Sequence, residues 1–164
     1  MNITPQTRAL IRKYEGCRLK AYLCPAKKWT IGWGSTFYED GSLVKQGDVI
    51  TQERAEKLFI ILLDQFAAEI KPLVRKDLND NQFGALLSFA YNAGTTRFRN
   101  STLRKMSFAN PNNPQIRLEF MKWVNRGTPF EKGLTIRRKA EADLYFTPII
   151  GNNPTNQYIT YRLG

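Results

Sequence analysis

The sequence predicts an α+β fold in which helices predominate and a small sheet lies near the N-terminus. Residues 18–36 are rich in the β-branched and aromatic side chains that favour strands, with proline and glycine at the turns. Residues 51–72 and 79–94 carry apolar side chains at the three- and four-residue steps of amphipathic helices. With 164 residues, 42% of them hydrophobic, the chain is long enough to form a domain with its own core.

A first helix is predicted to begin after Thr4 and to end at Glu15. Thr4 and Pro5 are the residue types that commonly cap a helix and start its first turn. Apolar residues at helical spacing follow, until Gly16 provides a C-terminal stop. The strand-rich segment at 18–36 then predicts a small sheet, bent at its glycines.

The remaining elements are predicted to be helices. Thr51 caps a helix of about 20 residues, roughly 30 Å long, which Pro72 ends. A central, buried helix runs from a cap at Asn79 or Asp80 to Gly94. Shorter helices are predicted at about 101–109, 115–125 and 133–146, and the tail 148–164 is rich in turn residues.

The composition indicates which class of molecule the protein binds, and says little about the reaction it catalyses. The chain has 25 Lys and Arg against 14 Asp and Glu, a net charge of +11, which predicts a salt-dependent attraction to polyanions. A nucleic acid and an anionic bacterial wall both qualify. The basic residues are spread along the chain and form no single stripe, which favours the wall over a nucleic-acid-binding module.

The apolar runs, the first residues and the metal-binding residue types of the sequence predict its cellular location and its cofactors. No apolar run approaches the length of a membrane span, and the first residues lack the pattern of a secretory signal. The chain has no histidine, and Cys17 and Cys24 alone form neither a zinc site nor a disulfide framework. We therefore expect a cytosolic origin, no membrane insertion and no metal.

Glu15 is the candidate catalytic residue because of its place in the first helix. The negative end of the helix dipole disfavours a charged carboxylate, and the neighbouring Tyr14 and Trp29 restrict solvent. Both effects raise a carboxyl pKa, as an acid that protonates a glycosidic oxygen requires. A solvated glutamate at a helix end is the alternative that this observation alone leaves open.

Several short motifs, in order along the chain, resemble those of the phage-type lysozymes. Residues 15–22 (EGCRLKAY) and 29–34 (WTIGWG) are similar to the active-site segment of that family. The later motifs follow in the family's order: SFAYNAG at 88–94, NSTL at 100–103, WV at 123–124 and GLTIRR at 133–138. The resemblance extends over about residues 4–146.

The resemblance implies a two-lobed, mostly helical lysozyme-like fold in a single domain, 1–164. Its small lobe is expected at about 14–50, its connecting helix at 52–71, and its helical lobe at 79–164, packed with the N-terminal helix. It implies a muramidase that hydrolyses the bond between N-acetylmuramic acid and N-acetylglucosamine in peptidoglycan, without metal or organic cofactor. A monomer is expected to collect in the host cytoplasm and to reach the wall, in the periplasm, through a separate holin-type pore.

The resemblance also assigns catalytic roles, with one departure from the family's pattern. Glu15 matches the catalytic acid, and Thr30 matches the threonine that positions the attacking water. Where the family usually has an aspartate, this chain has Cys24. Three alternatives follow: the thiolate of Cys24 acts as nucleophile or base; Glu39 or Asp40 supplies a second carboxylate; or the site is crippled and the protein only binds the wall.

Four further residues complete the predicted site. Arg137 matches an arginine that reaches the catalytic acid in this family, where it forms an ion pair. Tyr91, Asn92 and Ser101 lie in motifs that the family places at its substrate cleft, although Tyr91 is equally suited to the core. Arg138 and Lys139 are expected on a solvated basic face.

Overall fold

The structure is a computed structural model that describes residues 1–149, so most of the predicted tail, from residue 150 to 164, lies outside it. Within residues 1–149 the elements follow in the order α1 (Pro5–Glu15), β1 (Arg18–Leu23), β2 (Trp29–Gly32), α2 (Gln52–Ile70), α3 (Asp80–Ala93), α4 (Thr95–Asn100), α5 (Thr102–Ala109), α6 (Ile116–Met121) and α7 (Glu131–Phe146). The predicted α+β, mostly helical class is confirmed. None of the described helices combines the length and the hydropathy that a membrane span needs.

Helix α1 begins and ends where the sequence predicts. The Thr4 side chain accepts a hydrogen bond from the N–H of Thr7 at 3.2 Å, and Pro5 occupies the first turn. Gly16 ends the helix with φ +68°, a conformation that side chains rarely adopt. The carboxyl of Glu15 is thereby fixed at the C-terminal end of α1.

Strands β1 and β2 form an antiparallel hairpin. Tyr22 pairs with Thr30 and Leu23 with Trp29. The turn between the strands is closed by hydrogen bonds from the N–H of Cys24 to Lys28 O at 3.0 Å and from the N–H of Lys27 to Cys24 O at 2.8 Å. This register places Cys24 at the start of the turn and Thr30 in the facing strand.

Helix α3 is the centre of the core. Of the two predicted caps, Asn79 is the one observed; it forms a capping box with Gln82, and the residues from Gln82 to Tyr91 are all buried. It packs against α1, α2, α4 and α7. The long helix α2, capped by Thr51, packs against both β2 and α3 and so joins the hairpin to the helical core.

The helices differ from the prediction in three places: one additional helix, and the bounds of two others. Helix α4 was not predicted, because Gly94 reads as a stop although it also serves as the N-cap of this helix. Helix α6 is shorter than the predicted 115–125, since Asn125 (φ +49°) and Gly127 (φ +76°) hold conformations that no helix contains. Helix α7 begins at Glu131, slightly before the predicted 133.

The contact between α1 and α3 predicts that Gly84→Ala destabilises the fold. A Cβ added at Gly84 would lie 2.0 Å from Oγ1 of the buried Thr7 and 3.1 Å from its Cβ. Overpacking of this kind lowers the free energy of unfolding by about 1–3 kcal/mol. That loss should exceed the gain of about 1 kcal/mol in helix propensity. Urea unfolding measures the difference.

Gly133→Ala is the matched control, because Gly133 lies in α7 and an added Cβ there meets no atom within 4 Å. This variant should gain up to about 1 kcal/mol. Equal stability of Gly84→Ala and the parent would contradict the close packing of α1 on α3.

Candidate active site

Glu15 and Arg137 meet where the end of α1 approaches α7. Nη1 of Arg137 donates to Oε1 of Glu15 at 2.7 Å, and the side chains of Arg137 and Glu15 are 4% and 22% exposed. Burial raises the pKa of Glu15 above its usual value, and the positive charge and hydrogen bond of Arg137 oppose this rise. The predicted ion pair is confirmed, and the carboxyl is held where it favours its proton.

Arg137 is itself fixed on two other sides. Its Nε donates to Oε1 of Glu141 at 3.0 Å, and its Nη2 donates to the carbonyl oxygen of Ser88 at 3.1 Å. The hydroxyl of Ser88 donates to the same Oε1 of Glu141 at 2.7 Å. All three guanidinium nitrogens are therefore bonded, and the side chain of Arg137 is held in one direction.

Arg138 corrects the expectation of a solvated basic face. Its side chain is 1% exposed and pairs with the second carboxylate oxygen of Glu141. It also donates to Oδ1 of Asn92 and, from Nε at 3.1 Å, to the carbonyl oxygen of Trp123. The run of basic residues at 137–139 predicts a solvated face, because it does not show that the buried carboxylate of Glu141 pairs with Arg138. Lys139 is exposed, as expected.

Cys24 and Thr30 lie together at the hairpin turn. The pKa of the Cys24 thiol is lowered, chiefly by the backbone N–H of Lys28 and then by the hydroxyl of Thr30, both of which favour the thiolate. The Thr30 hydroxyl, buried in β2, has a single proton, which in this structure it donates to Lys28 O at 3.0 Å, so donation to the Cys24 sulfur would replace that bond. The hairpin therefore supplies a half-exposed sulfur whose thiolate form is favoured by the backbone N–H of Lys28 and by the hydroxyl of Thr30.

Tyr22 is a residue of this site that the sequence motifs did not single out. It pairs with Thr30 across the sheet, and the guanidinium of Arg18 lies 4.8 Å from its ring centroid. The pKa of its hydroxyl is raised by burial first, and then by the negative charges of Cys24 and Glu15. The charges of both candidate catalytic groups therefore act on the Tyr22 hydroxyl. A predicted hairpin register that pairs Tyr22 with Thr30 would have placed Tyr22 in this site.

A cavity of about 460 Å³ opens beside the Glu15–Arg137 pair. Arg137 and Tyr14 belong to its wall, and Asn92, Trp123 and Phe130 extend it. Asn92 is exposed, and its Oδ1 is held by Arg138. A cavity of this size, with aromatic rings and a few polar groups, suits a small organic ligand or a segment of a polymer.

Tyr91 and Ser101 are both buried and make structural contacts. Tyr91 is 9% exposed, its ring packs on Phe66 with centroids 4.9 Å apart, and its hydroxyl donates to the carbonyl oxygen of Trp33. Ser101 is buried and caps α5 by accepting from the N–H of Arg104 at 3.0 Å.

The acidic residues after the hairpin are committed to local contacts. Glu39 forms a two-point ion pair with Arg54, at 3.1 and 3.3 Å. Asp40 accepts from the N–H of Ser42 at 2.9 Å within a turn. Within residues 1–149 no three acidic or cysteine side chains converge as metal ligands would.

Comparison with known proteins gives one consistent result. The family model described as "Phage lysozyme" matches residues 12–141. The endolysin of Acyrthosiphon pisum secondary endosymbiont phage 1 is 39% identical over 151 residues, which are 88% of this chain and 98% of that protein. The endolysin of Bacillus phage B103 is also 39% identical, over 90% of this chain, and the match spans only 55% of its length.

The fold shows the same similarity. The solved structure of the endolysin from Escherichia coli O157:H7 phage FAHEc1 superposes with a TM-score of 0.77 at 31% identity. The superposition covers 89% of this chain and 94% of that structure.

The hairpin geometry predicts that iodoacetamide alkylates Cys24 faster than Cys17 at neutral pH. Hydrogen bonds lower the pKa of Cys24, whereas burial and the nearby Glu56 raise the pKa of Cys17, and only the thiolate reacts. Mass spectrometry of the two cysteine peptides over time measures both rates. Thr30→Val should slow Cys24 by removing one donor to its sulfur.

The same reaction in denaturant is the control, since both thiols then have ordinary environments. Equal rates for Cys24 and Cys17 in the folded protein would contradict the assigned hydrogen bonds.

Proposed function

Because the chain belongs to the phage lysozyme family, we propose that the site at the end of α1 cuts the glycan strands of bacterial peptidoglycan with Glu15 as its acid. The protein is a glycoside hydrolase of the muramidase type, which hydrolyses the β-1,4 bond between N-acetylmuramic acid and N-acetylglucosamine. One observation carries the assignment of the acid: a largely buried carboxyl, held by Arg137 at 2.7 Å beside a cavity.

Glu15 supplies the proton in this reaction. Its raised pKa keeps the carboxyl protonated closer to neutral pH than an exposed glutamate. It gives that proton to the glycosidic oxygen as the bond to the anomeric carbon breaks and its electron pair passes to the leaving oxygen. Arg137 then faces the carboxylate that remains, and a water molecule supplies the hydroxyl of the new reducing end.

Cys24 supplies the second function in this proposal. Its lowered pKa and half-exposed position provide a thiolate, which either removes a proton from the attacking water or attacks the anomeric carbon itself. Thr30, beside it, is suited to hold that water. The alternative carboxylates are disfavoured, because Glu39 is paired with Arg54 and Asp40 with a turn amide.

The cavity provides the proposed contacts with substrate. Arg138 fixes the carbonyl oxygen of Asn92, which orients the amide N–H groups as donors to a sugar oxygen. Trp123 and Phe130 offer apolar surface in the same wall. We assign substrate binding to Asn92 and this wall, with Arg137 supporting the acid behind it.

We also infer that the protein works as a monomer on the wall, in the periplasm, after it collects in the host cytoplasm. A holin-type pore for release and the absence of a nucleic-acid partner belong to the same inference. These steps rest on resemblance to phage endolysins. The net charge of +11 supports an anionic wall as the surface that attracts the chain.

Glu15→Gln should abolish lysis. An amide cannot donate the required proton, and loss of general acid catalysis lowers a rate by on the order of 10²–10⁴-fold. The clearing of outer-membrane-permeabilised cells and the release of new reducing ends from purified peptidoglycan both measure it. Sedimentation with the same peptidoglycan measures binding, which the variant should retain.

Glu53→Gln is the matched control, because Glu53 is an exposed carboxylate in α2 whose ion-pair partner is Lys57. It should lyse cells at the parent's rate. A parent that sediments with the wall and releases no reducing ends would instead identify a protein that only binds it.

Cys24→Asp should retain lysis and Cys24→Ala should lose most of it. Aspartate restores a negative group at the position where the family usually has one, and alanine leaves neither a base nor a nucleophile. Cys17→Ala controls for the loss of a thiol elsewhere and should keep the parent's rate. Normal lysis by Cys24→Ala would show that the thiol has no catalytic role.

A further inference from the structure

Glu141 is a buried carboxylate that the family motifs did not single out. It lies in α7 with its side chain 0% exposed, and both of its oxygens are occupied. Oε1 accepts from Nε of Arg137 at 3.0 Å and from the hydroxyl of Ser88 at 2.7 Å. Oε2 accepts from Arg138. It makes no direct hydrogen bond to Glu15, so any effect on the acid passes through Arg137 or through its charge.

The geometry of Arg137 shows how such an effect arises. A guanidinium is planar and rigid, so fixing two of its nitrogens determines the direction of the third. Glu141 holds Nε and the carbonyl oxygen of Ser88 holds Nη2, which leaves Nη1 directed at Glu15. One of the two anchors is a backbone atom of the central helix α3, and the other is this carboxylate.

The charges of the cluster also depend on Glu141. Arg137 and Arg138 are both buried, and two positive charges without water need negative partners. Glu141 is a fixed partner for both, whereas Glu15 is a second partner only when it has lost its proton. Without the charge of Glu141 the balance would move towards an ionised Glu15.

We propose that Glu141 is a positioning residue for the catalytic acid: it holds Arg137 against Glu15 and supplies a negative charge that favours the protonated form of Glu15. The inference rests on the proposed function only where it concerns the rate of hydrolysis. Its geometric and electrostatic part concerns Glu15 alone and can be measured without substrate.

The sign of the effect follows from the groups around Glu15. From α7, Arg137 and Arg138 favour its charged form and Glu141 disfavours it. Tyr22 of β1 and Tyr91 of α3 also sense the charge of Glu15, and both have a raised pKa, so they remain neutral at the pH of the assay. Removing the charge of Glu141 therefore lowers the pKa of Glu15.

Glu141→Gln and Arg138→Gln test the proposal with opposite signs. The amide of Glu141→Gln retains an oxygen for Nε of Arg137 and loses the charge, so the pKa of Glu15 falls. Arg138→Gln removes a positive charge from the same cluster, so the pKa of Glu15 rises. The double variant should lie between the two. Carbon-13 NMR of the glutamate side-chain carboxyls, assigned by comparison with Glu15→Gln, measures each titration.

The rate of hydrolysis should follow the titration. With a lower pKa Glu15 loses its proton at lower pH, so the alkaline limb of the kcat/KM profile on soluble peptidoglycan fragments moves to lower pH. At neutral pH we expect Glu141→Gln to lose up to about 100-fold in kcat/KM, mostly in kcat. All assays are run well below the unfolding temperature of each variant.

Glu119→Gln is the matched control, since Glu119 is another buried carboxylate, on α6, whose ion-pair partner is Lys122. It should leave the Glu15 titration and the pH profile unchanged. Opposite shifts in Glu141→Gln and Arg138→Gln support the proposal, and if one variant does not fold, the sign in the other decides. An unchanged Glu15 titration in a folded variant, or shifts of the same sign in both, would overturn it. A moved titration with an unmoved pH profile would overturn Glu15 as the acid, and with it the catalytic role of Glu141.

Discussion

The buried cluster around Arg137 constrains how the end of α1 meets α3 and α7. Its guanidinium joins the end of α1 through Glu15, the centre of α3 through Ser88, and α7 itself through Glu141. Arg137 is buried, and a buried guanidinium left without any carboxylate partner would cost several kcal/mol, of the order of 3–5. The relative position of α1, α3 and α7 is therefore constrained by charge pairing as well as by apolar packing, and the catalytic acid lies where these constraints meet.

The two candidate catalytic groups have opposite environments within a short stretch of chain. Glu15 lies at a helix end among buried side chains, and burial favours its neutral form. Cys24 lies on an open hairpin turn, where the N–H of Lys28 and the hydroxyl of Thr30 favour the charged form. A glycosidase needs one group that gives a proton and another that is already without one. Here Glu15 at a helix end is suited to give the proton and Cys24 at a turn is suited to be the group without one, so no second carboxylate is needed.

Much of the fold could be predicted because its signals are local. The end of α1 at Gly16 follows from a single residue, and the order of helices follows from the spacing of apolar side chains. The site was harder, because function there depends on burial. Tyr91 and Ser101 lie in motifs that suggested a cleft, yet packing and a helix cap account for both. Glu141 was missed although it lies one helical turn after Arg137, the spacing at which oppositely charged side chains meet.

Arg137 acts on the acid in two opposed ways, and their balance suits a proton donor. Before the reaction burial favours a protonated Glu15, while the guanidinium at 2.7 Å lowers the cost of losing that proton. With Glu15 neutral, the two arginines and Glu141 carry one net positive charge; once Glu15 is ionised, the cluster of four is neutral. Transfer of the proton to the leaving oxygen thus removes an excess charge from the protein interior. Without the arginines the pKa of the buried acid would rise further, and without Glu141 the arginines would lower it, so the two kinds of charge balance each other at Glu15.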